Sequence, residues 1–262
     1  MLFDLFPNGK KKAVTFSYDD GNVFDLELVK VFDKYGAKCT FNLIDKWLNC
    51  DNFLTDNDVK EISKTHEIAI HTQSHPWVEQ IPNDEFVKQV YECRRALEKI
   101  TGLPVRGMAY PNGTYSDKNL EVLKALGVCY SRATQNTKGF KHPQNFLTWQ
   151  PTCHHKDAIE CTTNFTKLKP YTKLPILYIW GHSYEFAREN NLNILTETLD
   201  ILAERDDIWY ATNIELYDYL TAIKSLVISD GEKSVYNPSC VTVYATKNGE
   251  TIEIKPGLNI LQ

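Results

Sequence analysis

Two carboxylates stand side by side in Ser17-Tyr18-Asp19-Asp20-Gly21. Adjacent anions in one site repel, so one of them takes up a proton unless a cation lies beside them. Further along, His71-Thr72-Gln73-Ser74-His75 offers two imidazoles four residues apart, which meet on one side if that stretch makes a helical turn. Two histidines and an aspartate around one open position make a common catalytic divalent-metal set. An ion there also resolves the repulsion, with one aspartate ligating and the other left free as a base. Taken separately, each stretch has a plainer reading, a solvated Asp-Asp-Gly turn or two solvated histidines. Taken together they point to metal-assisted chemistry.

Both stretches need a scaffold that brings them to one place. The apolar run before Asp19, Val14–Tyr18, reads as a buried strand, and Glu67–Thr72 reads as another, so both sets of reactive residues sit at strand ends. Gly21 lets the chain turn before a helix over 23–35, which Gly36 closes. Strand-like and helix-like stretches keep alternating: strands at 38–44, 105–110, 128–131, 176–180 and 208–212, and helices at 55–65, 83–101, 116–126, 192–204 and 213–223. The long helix from Asn83 spaces Phe86, Val90, Cys93 and Leu97 along one face. The stretch 135–175 is less regular, with a strand expected near Phe146–Trp149 and a helix after His154. Repeated β–α units imply a parallel sheet, closed or nearly closed into a barrel at this length. After Lys224 the pattern changes to short alternating runs split by Asp230-Gly231, Asn237-Pro238 and Asn248-Gly249, a hairpin signature.

The bulk composition narrows the function classes. The 262 residues are 42% hydrophobic with a net charge of -5, enough for one large core and nothing that suggests nucleic acid or an anionic membrane as partner. No apolar run is long enough to span a bilayer. The first twelve residues place their charges after their apolar residues, the reverse of a secretory signal, so the chain as written reads as cytoplasmic. The seven cysteines are scattered without a CxxC pair and read as reduced thiols rather than a disulfide frame or zinc ribbon.

With these motifs in view, the sequence resembles the polysaccharide deacetylases, carbohydrate esterase family four, built on the NodB-homology domain. The family's strand ending in (F/Y)-D-D-G is matched by Tyr18-Asp19-Asp20-Gly21, and its H-(S/T)-x-x-H by His71-Thr72-Gln73-Ser74-His75. Its R-x-P-(Y/F)-G is matched in part by Ala109-Tyr110-Pro111-Asn112-Gly113, and its apolar strand ending in L-x-H by Trp180-Gly181-His182. The resemblance runs from about Val14 to Tyr219. It implies an α/β fold: a distorted (β/α) barrel of about seven strands over residues 1–224, with a C-terminal β extension, 225–262, packed on it. It also implies that Asp19 is the general base and His182 the general acid. Asp20, His71 and His75 would bind the metal, Zn²⁺ first and Co²⁺ or Ni²⁺ as alternatives. The Asn112 backbone N–H would meet the oxyanion, with Tyr110 and Trp180 lining the substrate site.

Two family features are missing. Ala109 holds the place of the arginine that pairs with the base, and the acidic motif that orients the histidine is not found. Arg132, at the end of the strand 128–131, is the expected substitute for that arginine, whereas Arg106 in a regular strand faces the other way. A surface salt bridge is the plainer reading of Arg132. His154 and His155 are either solvated, or lend a substrate contact or help to orient His182, and Tyr184 and Glu185 are candidates for positioning the substrate or the acid. Among the tryptophans Trp47, Trp77, Trp149 and Trp180, the expected sugar-stacking pair is Trp77 and Trp180.

The activity implied is hydrolysis of the N-acetyl group of an acetylated sugar, oligosaccharide or polysaccharide, with that carbohydrate as the substrate partner. The tail is a candidate oligomerisation element. Three other readings stay open: hydrolysis of a small non-sugar amide or imide on the same fold, a glycosidase using Asp19 and a distant acid, and a non-catalytic carbohydrate-binding protein with a decayed site.

Overall fold

The computed structural model describes residues 1–169 and 172–261; Gln262, the last residue of the expected extension, lies outside them. Its centre is a parallel sheet: β1 (Lys12–Asp20), β2 (Cys39–Leu43), β3 (Glu67–Ile70), β4 (Gly107–Ala109), β5 (Tyr130–Arg132), β6 (Cys153–His154), β7 (Ile176–His182) and β8 (Ile208–Tyr210). The order across it is β5-β4-β3-β2-β1-β7-β6, with β8 paired to the start of β1. Every residue of β1 is buried, as expected of a central parallel strand covered on both faces. The two edges of the sheet approach each other through residues 149–154. Trp149 bridges in parallel to Arg132, and Thr152 N–H donates to Tyr178 O at 2.8 Å. The sheet is thus curled into a distorted barrel, as the alternating pattern implied.

Strand periodicity sorts the side chains of β1. Val14, Phe16 and Tyr18 pack outward against Leu28 and Phe32 of α1 (Asp25–Lys34). The alternate residues face the barrel interior, where Thr15 bonds Asn213 at 2.8 Å and Asn42 bonds both Ser17 and Asp19 at 2.8 Å. The remaining outer helices are α2 (Asp56–Ile62), α3 (Asn83–Thr101), α4 (Asp117–Ala125), α5 (Ala158–Thr166), α6 (Ser183–Glu189), α7 (Asn193–Ala203) and α8 (Asn213–Ser225). Reciprocal capping by Thr55 with Asp58, Ser116 with Asn119 and Thr212 with Glu215 starts α2, α4 and α8. No helix among the described residues is long and apolar enough to cross a membrane.

Two local expectations need correction. Phe146–Thr148 is a 3-10 turn rather than a strand. The Asn145 side chain accepts from Leu147 N–H at 2.9 Å, a local bond that competes with extended pairing, and Phe146 and Trp149 pack edge to face with centroids 5.2 Å apart. The strand expected over 176–180 runs on through Gly181 to His182, and the unanticipated α6 follows without a loop.

Beyond α8 come β9 (Val227–Ile228), β10 (Ser234–Asn237), β11 (Val243–Lys247), β12 (Glu250–Ile254) and β13 (Gly257–Ile260). β11 and β12 form a hairpin turning through Asn248 and Gly249 at φ 53° and 85°, the left-handed pair that a two-residue turn requires. The N-terminus joins this region: Leu2 bridges to Thr246, and the Met1 ammonium meets Glu232 at 2.7 Å.

Candidate active site

In a parallel barrel all the strands end on one rim. That rim carries Asp19 and Asp20 from β1, His71 after β3, Ala109 and Tyr110 at the end of β4, Arg132 from β5, His154 from β6 and His182 from β7. A regular pleat would send Asp19 and Asp20 to opposite faces. Asp20 instead has φ 79° and Gly21 φ 76°, which turns the second carboxylate back over the rim. One Asp20 oxygen, Oδ1, lies 3.5 Å from His71 Nε2 and 3.8 Å from His75 Nε2. Two atoms each about 2.0–2.1 Å from a tetrahedral ion lie about 3.4 Å apart, so the three side chains are spaced for one.

Their hydrogen bonding fits a cation as well. His71 Nδ1 is 2.8 Å from Ala109 O. A carbonyl only accepts, so Nδ1 carries the proton and the Nε2 lone pair is left towards Asp20. Burial pulls the His71 imidazole below its ordinary value despite the nearby Asp19 and Asp20, which keeps it neutral. Asp20 Oδ1 is buried without a hydrogen-bond partner. The expected helical turn between the histidines is absent. Residues 71–75 form an open loop with Thr72 at φ 64° and His75 at φ 57°, and the rings meet edge to face at 4.9 Å. Gln89 of α3 holds that loop, accepting from Gln73 N–H at 3.0 Å and Ser74 N–H at 3.1 Å. Its sequence signal is a polar residue on the otherwise apolar face of α3.

Asp19 is buried beside this set. Its Oδ1 accepts from Asn42 and its Oδ2 from the Arg132 guanidinium, which also donates to Ala133 O at 3.1 Å. Burial alone would push the Asp19 carboxyl up. Arg132, with help from His71 and His182, outweighs this and holds it below its ordinary value. Trp180 covers the guanidinium, with its ring centroid 4.6 Å from Cζ, and donates its own N–H to Asn136 at 2.9 Å. Arg106 lies elsewhere, paired with Asp218 at 2.8 Å.

His182 is the register partner of Asp19 on the adjacent strand. Burial pulls its imidazole down, but Glu185, Asp19 and Asp20 outweigh that and leave it raised. The acid nearest it is Glu185, with Oε2 3.7 Å from His182 Nδ1. His154 and His155 approach the same oxygen rather than solvent. Asp25, which as a first-turn acid of α1 reads as a surface group, is fully buried. Burial, reinforced by the charges of Asp20 and Asp19, pushes its carboxyl well above its ordinary value.

The cleft over these groups is lined by Asp19, His71, His75, Tyr110, Asn112 and His182, with Trp180 and Thr134 alongside. Asn112 sits at φ 58° in the turn Pro111–Gly113. The Tyr110 hydroxyl donates to Leu147 O at 2.9 Å, so that group is turned to the scaffold. Trp47 stacks on His75 with centroids 5.9 Å apart, Trp149 is buried in the core, and Trp77 is 48% exposed.

Residues 7–131 match the family model described as polysaccharide deacetylase. A Bacillus cereus peptidoglycan-N-acetylglucosamine deacetylase is 31% identical over 116 residues, which cover 42% of this chain and 40% of that protein. The chain thus matches less than half the length of its curated relatives. A solved Mycobacterium smegmatis protein, provisionally described as a polysaccharide deacetylase, superposes with TM-score 0.64 at 16% identity, over 84% of this chain and 93% of that one. A family 4 acetyl xylan esterase from Clostridium thermocellum, solved with a cobalt ion, superposes with TM-score 0.57 at 19% identity, over 78% and 90%. At these identities the two structures establish the fold alone.

Proposed function

We propose that this chain, whose residues 7–131 match the polysaccharide deacetylase family model, is a metal-dependent hydrolase that removes the N-acetyl group from an acetylated sugar, oligosaccharide or polysaccharide. The observation that carries this reading is the placement of Asp19 and His182, as register partners, at the rim where Asp20, His71 and His75 converge. A divalent ion held by those three residues would supply Lewis-acid polarisation of the acetyl carbonyl and acidify a water. Zn²⁺ suits two imidazoles and a carboxylate, with Co²⁺ or Ni²⁺ as alternatives.

The chain's own residues divide the proton transfers. Asp19, kept ionised by Arg132, takes the proton of the attacking water. The new C–O bond leaves a negatively charged oxygen, for which the Asn112 backbone N–H is the donor in reach of the cleft. His182, whose imidazole is raised, gives its proton to the amide nitrogen as the C–N bond breaks, releasing acetate and the sugar amine. Trp180 and the exposed Trp77 are the surfaces on which a sugar ring would stack.

The test separates the two carboxylates. Asp19→Asn should abolish turnover of N-acetylglucosamine oligomers while the protein keeps its ion, because Asp19 handles the proton. Asp20→Asn should lose both. Loss of the ion from Asp19→Asn would show the carboxylates to be assigned the wrong way round. No release of acetate from any N-acetylated sugar by the metal-loaded protein would overturn the reading.

A further inference from the structure

A second group of ligating side chains lies away from Asp20, His71 and His75. Donor atoms of His154, His155 and Glu185 all lie within 4.8 Å of one another. Glu185 Oε2 is 2.9 Å from His154 Nε2 and 3.4 Å from His155 Nε2, tighter than the 3.5 and 3.8 Å of the first set. We propose that His154, His155 and Glu185 form a second divalent-metal site, of the nitrogen-rich kind that Zn²⁺ or Co²⁺ fills and Mg²⁺ does not.

Three observations support an ion rather than a simple hydrogen-bonded cluster. His155 is 1% exposed, and neither of its ring nitrogens has a hydrogen-bond partner. Glu185 Oε2 is likewise buried and unbonded. The two histidine nitrogens thus share one carboxylate oxygen, as His71 and His75 share the unpartnered Asp20 Oδ1 in the first set. Buried polar atoms left in this state are costly, and one cation would take up His154 Nε2, His155 Nε2 and Glu185 Oε2 together. The neighbouring chain is also shaped around the cluster: a Cβ on Gly181 would stand 2.1 Å from His155 Nδ1, so only glycine leaves that ring its place.

One contact opposes the arrangement. Lys156 N–H donates to His154 Nδ1 at 3.3 Å, which places the proton of a neutral ring on Nε2. An ion on Nε2 must move that proton to Nδ1 and give up this long bond. The competing account is a proton on His154 Nε2 turned towards Glu185. It leaves both His155 nitrogens unsatisfied, whereas an ion on Nε2 leaves only Nδ1 without a partner. An ion at this position would tie the end of β6 to α6, the helix that follows His182.

The experiment needs no substrate and so stands apart from the deacetylase reading. The full chain is stripped with a chelator, loaded with Zn²⁺ or Co²⁺, and its bound metal counted by mass spectrometry and calorimetric titration. The wild type should hold about two ions and Asp20→Asn about one, the survivor giving the intense visible absorption of four-coordinate Co²⁺. Glu185→Gln and His155→Ala should also hold about one ion, at the first set. A wild type that binds a single ion, absent from Asp20→Asn, overturns the proposal. So does a second ion that persists in folded Glu185→Gln. If the Glu185 and His155 variants fail to fold, the comparison of wild type with Asp20→Asn still decides.

Discussion

Replacing Arg132 by methionine should cost about 3–5 kcal/mol of stability at neutral pH, the usual penalty for leaving one partner of a buried ion pair alone, and much less in mild acid. The Arg132 and Asp19 side chains are 0% and 3% exposed, so water cannot replace the lost guanidinium. Asn42 still donates to Oδ1 at 2.8 Å, but Oδ2 loses its donor. The pH dependence has a definite sign. In the wild type the Asp19 carboxyl is held below its ordinary value, so its contribution is present above that value and lost as pH falls through the folded one. Without Arg132, burial is opposed only by the weaker pulls of His71 and His182, and the folded value should rise above the ordinary one. Stability then falls as pH climbs through that window. The gap between the two proteins should therefore widen from about pH 4 upward. Adding Asp19→Asn to Arg132→Met removes both charges and should recover at least about 2 kcal/mol, a coupling readable from a double-mutant cycle. Urea unfolding at about pH 4.5 and about pH 8, with a chelator present so that no ion replaces the lost cation, measures all three differences. A loss that is the same at both pH values and unchanged by Asp19→Asn would refute the reasoning: the arginine would then matter through packing under Trp180, not through its charge.

His182→Ala should slow hydrolysis of an N-acetyl sugar about 10²–10⁴-fold, and an acetyl ester with a good leaving group far less, since that departure needs no proton. An equal loss on both substrates would remove His182 as the leaving-group acid. Glu67, half-buried at the start of β3 with Thr40, Tyr130 and the Ile214 N–H as donors, is pushed up to about 7, chiefly by desolvation. Its folded value lies above the ordinary carboxylate value, so the stability tied to its proton is complete in mild acid and lost as pH rises to about 7. Glu67→Gln should then be about 1–3 kcal/mol more stable than wild type at about pH 8 and show no such gain at about pH 4.5. Equal effects at the two pH values would show that the carboxyl does not titrate in that window.

The sequence by itself was enough for the parts of this protein that depend on local order. A parallel β–α repeat puts every strand's C-terminal end on one rim, so Asp19, Asp20 and His71 could be gathered there from position alone, and the family resemblance added His182. The Asn248-Gly249 turn and the helix starts at Thr55 and Ser116 depend on a few residues each and were readable for the same reason. Tertiary structure decided what depends on distant segments meeting. Asp20 joins the two histidines because its φ of 79° turns it off the pleat, and the histidines meet across a loop held by Gln89, not on a helical turn. Asp25 reads as a helix-start acid and is buried, because α1 lays its first turn against the barrel. Glu185, three residues from His182, was a candidate for positioning it from the sequence, but that one carboxylate oxygen also takes His154 and His155 only because β6 and β7 lie side by side. Spacing along the chain carries none of that, since side chains dozens of residues apart become neighbours only once the order of strands in the curled sheet is set.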